Sequence, residues 1–111
     1  MPLGPFNAKN FASTISPWVI TPEALAPFKV ALPAQDPQVL PYLQDHDLSS
    51  YDIDLKILIK TPKLEAPHTM AISNMKYLYF SVPQTIAHHT VTGCNLNVGD
   101  MLGSGTISGT E

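Results

Sequence analysis

The stretch YDIDLKILIK, Tyr51 to Lys60, decides how the rest of the chain is read. Ile53, Leu55, Ile57 and Ile59 alternate with Asp52, Asp54, Lys56, Leu58 and Lys60. Successive side chains of a strand point to opposite faces, so this period of two predicts a strand with its aliphatic face buried and its charged face wet. TPKLEAP (61–67) then supplies a hairpin-like turn, and HTMAISNM (68–75) a second, shorter strand.

Downstream, YFSVPQTIAHHTVTGCN (79–95) predicts the one real helix. Ser81 and Gln84 have the spacing of a capping box, Pro83 falls in the first turn where its missing N–H costs nothing, and Gly93 is placed to end the helix. Val82, Ile86, Ala87, Thr90 and Val91 share one face, which is expected to pack on the sheet. NLNVGD (95–100) reads as a turn centred on Gly99, and MLGSGTISG (101–109) as a glycine-spaced strand and loop.

Upstream, Pro2, Pro5, Pro17, Pro22, Pro27, Pro33, Pro37 and Pro41 forbid long helices. SPWVI (16–20) predicts a short strand. TPEALAPF (21–28) predicts a single helical turn, capped by Thr21 with Pro22 in the first helical position. ALPAQDPQVLPYLQDHDLSS (31–50) has no apolar period and reads as a long surface connection. The fold class expected is mainly β with one short helix, an α+β chain, and no internal repeat is present.

With 111 residues the chain has room for one domain at most. A hydrophobic fraction of 44% argues against disorder, and 11 prolines suit a loop-rich protein. The net charge of -3, without a basic run, lacks the footprint that nucleic acid requires. Apolar runs are far shorter than a bilayer span, and no basic segment followed by an apolar stretch opens the chain. A single cysteine, Cys94, fits a reducing compartment. These features predict a soluble, cytoplasmic chain. Its start at MPLGPF and its stop at SGTISGTE, within a small-residue run, predict a fragment of a longer protein.

Few residues offer chemistry. The glycines of GSGTISG (103–109) let a backbone approach a ligand, and N–H groups with a hydroxyl can grip a carboxylate or enolate oxygen; a tight glycine-rich corner explains the same pattern. His88 and His89 are about 100° apart on a helix and cannot share one metal, so one is expected to pack and the other to be exposed. Asp45, His46 and Asp47 fall in the connection and read as solvated, and Asp52 and Asp54 as solubilising. Lys9, between Phe6 and Phe11, is suited to a developing oxyanion or carbanion, and equally to a snorkelling surface role.

Taken together, LGPFNAKNFASTISPW (3–18), QDPQVLPYL (35–43) and NMKYLYFSVPQTIAHHTVTGCNLNVGDMLGSGTISG (74–109) resemble the fumarylacetoacetase family almost end to end. The specific motifs are PLGPF followed by a lysine and, four residues on, a serine or threonine; then SPW, HH with GCNL, GD, and SGTISG. The wider superfamily shares the lysine and a GD turn but usually lacks the proline-rich connection. The resemblance implies that residues 1–111 are a fragment of the C-terminal catalytic domain, a mixed β-sandwich roll, without the N-terminal domain. It implies hydrolysis of the carbon–carbon bond of 4-fumarylacetoacetate, a β-diketo acid, to fumarate and acetoacetate in tyrosine and phenylalanine catabolism. Magnesium and calcium ions, a homodimer and a cytoplasmic location belong to the same implication.

Residue by residue, the resemblance carries over Lys9 as a catalytic cation of the metal region, Ser13 as a metal-site residue where relatives usually carry threonine, and Thr106 as a substrate contact. An ammonium has no lone pair, so any metal contact by Lys9 is through its backbone carbonyl or outer-sphere. The family's metal carboxylates, histidine base, arginine and glutamine lie upstream of PLGPF, and its assisting glutamate lies further past SGTISG than Glu111. The isolated piece is therefore expected to be inactive. Two other readings stand beside this one: another superfamily hydrolase or decarboxylase of 2-oxo acids, and a non-enzymatic dimerisation or binding piece.

Overall fold

A computed structural model describes residues 12–109. In chain order the elements are α1 (Pro22–Leu25), β1 (Lys29–Ala31), β2 (Ser49–Tyr51), β3 (Asp54–Ile59), β4 (His68–Asn74) and α2 (Val82–Thr90). Single 3-10 turns stand at Ala26–Phe28, Pro41–Leu43 and Met75–Tyr77. The strands form two antiparallel pairs, β1 with β2 and β3 with β4, so the described residues are a mixed α+β arrangement. Both expected helical segments are present: the Thr21 hydroxyl caps α1, with Pro22 in its first turn, and α2 starts at the Ser81–Gln84 capping box. SPWVI is not a strand, because it has no pairing partner among the described residues; Trp18 is 84% exposed.

The β1–β2 pair was not legible, since each strand is only three residues long. It brackets the 32–48 connection, and Lys29 Nζ forms an ion pair with Asp47 beside it. The expected β3–β4 hairpin is present, with Asp54 opposite Asn74 and Leu55 opposite Ser73. A bulge between Ile57 and Leu58 breaks it, and β4 is the longer strand. The aliphatic face is not buried as expected. Ile57 is 62% exposed and Ile59 42%, while on the other face Ile72, opposite Lys56, is 69% exposed. Two causes combine: Leu58 and the bulge put apolar residues on both faces, and no second layer covers either face among the described residues.

Burial concentrates instead on polar groups. Leu43 is the buried large hydrophobic residue among those described, while Ser50, Asn74, Ser81 and Gln84 are buried polar ones. Gln84, 2% exposed, uses all four hydrogen-bonding positions of its amide. Its Oε1 accepts from Ser81 N (2.9 Å) and Gln35 Nε2 (2.8 Å), and its Nε2 donates to Leu43 O (2.7 Å) and Gln35 Oε1 (3.0 Å). The Gln35 amide also donates to Tyr79 O at 2.8 Å, and Ser81 Oγ donates to Asp45 Oδ2 at 3.2 Å. The 32–48 segment is thus more than a surface connection, because its Leu43 carbonyl, Gln35 amide and Asp45 carboxylate satisfy the Gln84 and Ser81 side chains that open α2. It also corrects the expected packing of α2, which rests on the Pro41–Leu43 turn and leaves Val82, Ile86 and Val91 exposed.

Asn74 is a second saturated amide, at the end of the hairpin. Its Oδ1 accepts from Ile53 N (3.2 Å) and Lys76 N (2.9 Å), and its Nδ2 donates to Asp52 Oδ1 (2.6 Å) and Asp54 Oδ1 (3.0 Å). Asp52 and Asp54 therefore do more than solubilise, since they satisfy this amide. No buried side-chain polar atom among the described residues lacks a partner. An unpaired buried amide partner costs about 1–3 kcal/mol, so Gln84→Ala is expected to destabilise the chain by about 2 kcal/mol or more. Ile57→Ala, at an open position, should cost under about 1 kcal/mol. Urea unfolding followed by far-UV circular dichroism checks this inverted order.

Candidate functional site

The segment 101–109 contains no strand, contrary to expectation, because it forms no ladder with a neighbour among the described residues. The NLNVGD turn that leads into it is formed as expected: Gly99 has φ +96°, Asp100 N donates to Asn97 O, and Asn97 N donates to the Asp100 carboxylate. Gly105 has φ +76°, a left-handed conformation that a side chain would strain, and a Cβ there would meet nothing within 4 Å. This glycine is needed for the bend and leaves open space beside the backbone. Thr106 follows it, exposed, while Ile107 is half-buried.

Two concavities flank this segment. Ser104 reaches a largely apolar cavity of about 680 Å³, whose walls include Pro37, Leu40, Tyr42, Tyr79 and His88. Gly109 borders a more polar cleft of about 350 Å³ with Asp54, Ser73, Asn74, Lys76 and Tyr77. A hydroxyl on the exposed bend between them can donate to, or accept from, a ligand oxygen.

Ser13 is exposed, and Lys9 lies outside the described residues, as do Phe6, Phe11 and Glu111. Among the described residues no three histidine, cysteine, aspartate or glutamate side chains gather into a metal-binding group. A hard divalent cation takes six or more oxygens, and Ser13 offers one hydroxyl, so these residues do not by themselves fit magnesium or calcium. Both histidines are exposed rather than one being packed. His88 Nδ1 lies 2.9 Å from Tyr42 Oη, with the rings stacked at 6.2 Å, and His89 Nε2 lies 3.3 Å from Cys94 Sγ. Asp45 and Asp47 are engaged by Ser81 and Lys29. Ser73, Gln35 and Asn74 were missed, since their roles depend on partners 34 or more, 49 and about 20 residues away. The Asn74 position ahead of a Met-Lys-Tyr turn was the available signal, an asparagine N-cap.

Electrostatics centre on the Asn74 clamp. Lys76 Nζ lies 3.1 Å from Asp52 Oδ1, and this ammonium, followed by the Asn74 amide, holds the Asp52 carboxyl below its ordinary 3.8. The same bond raises Lys76. Lys29 and Asp47 shift each other in the same senses. No helix of the described residues is long and apolar enough to cross a membrane.

The family described as fumarylacetoacetate (FAA) hydrolase C-terminal matches residues 1–111, and the chain belongs to that family. Within it, the chain is similar to the fumarylacetoacetase of Dictyostelium discoideum, 58% identical over 109 residues that cover 98% of this chain and 26% of that protein. The fumarylacetoacetase of Oryza sativa subsp. japonica is 49% identical over 111 residues, and that of Homo sapiens 48%, each match covering 100% of this chain and 26% of the relative. The chain thus spans about a quarter of the length of the curated relatives it matches.

A lowered folded value means that Asp52 stabilises above 3.8 and that this contribution is lost as pH falls through the folded value. The group is exposed, so the effect is small. Between about pH 5 and pH 2 the urea midpoint should fall more steeply for the parent than for Asp52→Asn. Parallel slopes would remove the carboxylate from the clamp.

Proposed function

We propose that this chain works as part of the catalytic domain of a fumarylacetoacetase. The substrate is 4-fumarylacetoacetate; water adds across the scissile carbon–carbon bond, and fumarate and acetoacetate leave. The single observation that supports this most is identity of 58% to a fumarylacetoacetase, spread over 98% of the chain rather than confined to one motif. The exposed Thr106 on the glycine-bent segment supports it too, since Ser104 and Gly109 of the same segment line two concavities.

In this reading the Thr106 hydroxyl binds a substrate oxygen, and the backbone of the bend, free of side chains at Gly103 and Gly105, lets the substrate approach. Lys9 stabilises the negative charge that develops as the bond breaks. Ser13 contributes one oxygen to a site for magnesium or calcium whose carboxylates come from outside the described residues. A mixed β-sandwich roll covers the open faces of β3 and β4, in a cytoplasmic homodimer. Residues 1–111 alone are inactive, because a catalytic unit fails when members are missing.

The test is a graft in which this chain replaces the matching quarter of the Dictyostelium discoideum fumarylacetoacetase. Turnover of 4-fumarylacetoacetate should persist within about tenfold of the parent kcat/KM. Thr106→Ala in the graft should raise KM. A folded, soluble graft without turnover would contradict the proposal.

A further inference from the structure

Thr106 sits in a segment without a hydrogen-bonded ladder, so its direction depends on what else holds that backbone. Ser73 Oγ donates to Ile107 O at 2.9 Å and joins the segment to β4. Among the described residues, the other side-chain bond within 101–109, Ser104 Oγ to Gly105 O at 3.1 Å, is local and anchors nothing. Neighbours do not wedge the bend either, since a Cβ at Gly103 or Gly105 would meet nothing within 4 Å. The Ser73 bond lands on the Ile107–Ser108 peptide, one peptide beyond those that flank Thr106, so it holds the backbone that continues from the threonine.

The anchor is itself fixed. Ser73 is half-buried and stands opposite Leu55 in the β3–β4 register. The next residue is Asn74, whose saturated amide ties Ile53, Asp52, Asp54 and Lys76 together. Ser73 also borders the cleft that Gly109 closes, so the tether runs along the wall of the concavity. A short hydroxyl suits this task, because it reaches a carbonyl with a single bond and has one rotor to order.

We propose that Ser73 is the positioning residue of Thr106, transmitting the rigidity of the Asn74 clamp to the glycine-bent segment through Ile107 O. This rests on Thr106 being a substrate contact. Ser73 itself touches no substrate in this arrangement; it acts through the backbone.

The test uses the full-length graft and compares Ser73→Ala, Ser73→Thr and Thr106→Ala by steady-state kinetics, thermal midpoint and amide hydrogen exchange at residues 106–108. Ser73→Ala should raise KM about 3- to 10-fold with kcat within about twofold of the parent, as expected for one lost tether. Exchange at 106–108 should quicken while β3 and α2 stay as in the parent. Ser73→Thr, which keeps the hydroxyl, should restore both. In a double-mutant cycle Ser73→Ala should add little on top of Thr106→Ala. Parent-like KM and exchange in Ser73→Ala would overturn the proposal, as would faster exchange throughout the protein with a lowered thermal midpoint. If Thr106→Ala leaves KM unchanged, the substrate reading falls instead, and the exchange rates still decide whether Ser73 holds the segment.

Discussion

The reciprocal amide pair between Gln35 and Gln84 is the interaction on which the rest of the structure depends. Each side chain donates to the other's oxygen, at 2.8 and 3.0 Å. The remaining positions of Gln84 close the first turn of α2 and take up Leu43 O, while Gln35 reaches Tyr79 O. The pair joins a buried amide to a half-buried one, so breaking it is costly on the Gln84 side, where a lost bond leaves a buried group unpaired. The pair therefore fixes the proline-rich segment on α2, a joint that the lone buried Leu43 could not secure.

Asn74 plays the same part at the hairpin. Its four bonds collect the start of β3, two aspartates and the turn after β4, and the adjacent Ser73 carries that rigidity to the bend bearing Thr106. Polar clamps thus do the locating, while much apolar surface stays open. Strands with apolar residues on both faces belong in a sheet covered on both sides, and a two-stranded hairpin alone is marginal in water. Under the proposed function, the remaining three-quarters of a fumarylacetoacetase-length chain supplies that cover.

Local features were legible in the sequence wherever the determining residues are close together. The hairpin follows from the alternation before Leu58, the α2 start from Ser81, Pro83 and Gln84, and the Gly99 turn from Asn97 and Asp100. What was not legible depends on distant partners. Gln84 reads as a capping residue, and nothing local says that Gln35 will meet its other side. Alternation in β3 says which residues share a face and cannot say whether a second layer exists, so burial of Ile57 was expected and not found. SPWVI and MLGSGTISG have strand-like composition but find no pairing neighbour among the described residues. Of the site, Thr106 is placed on an exposed bend, Ser13 is exposed, and Lys9 lies outside the described residues.

Polar clamps locate these residues, and under the proposed function a longer family chain covers their apolar faces. Fluorescence of the hydrophobic dye ANS, without denaturant, tests it most directly on the 111-residue chain and on the full-length graft side by side. The dye should be bright on the isolated chain and dark on the graft. A monomeric isolated chain that leaves the dye dark would contradict the account.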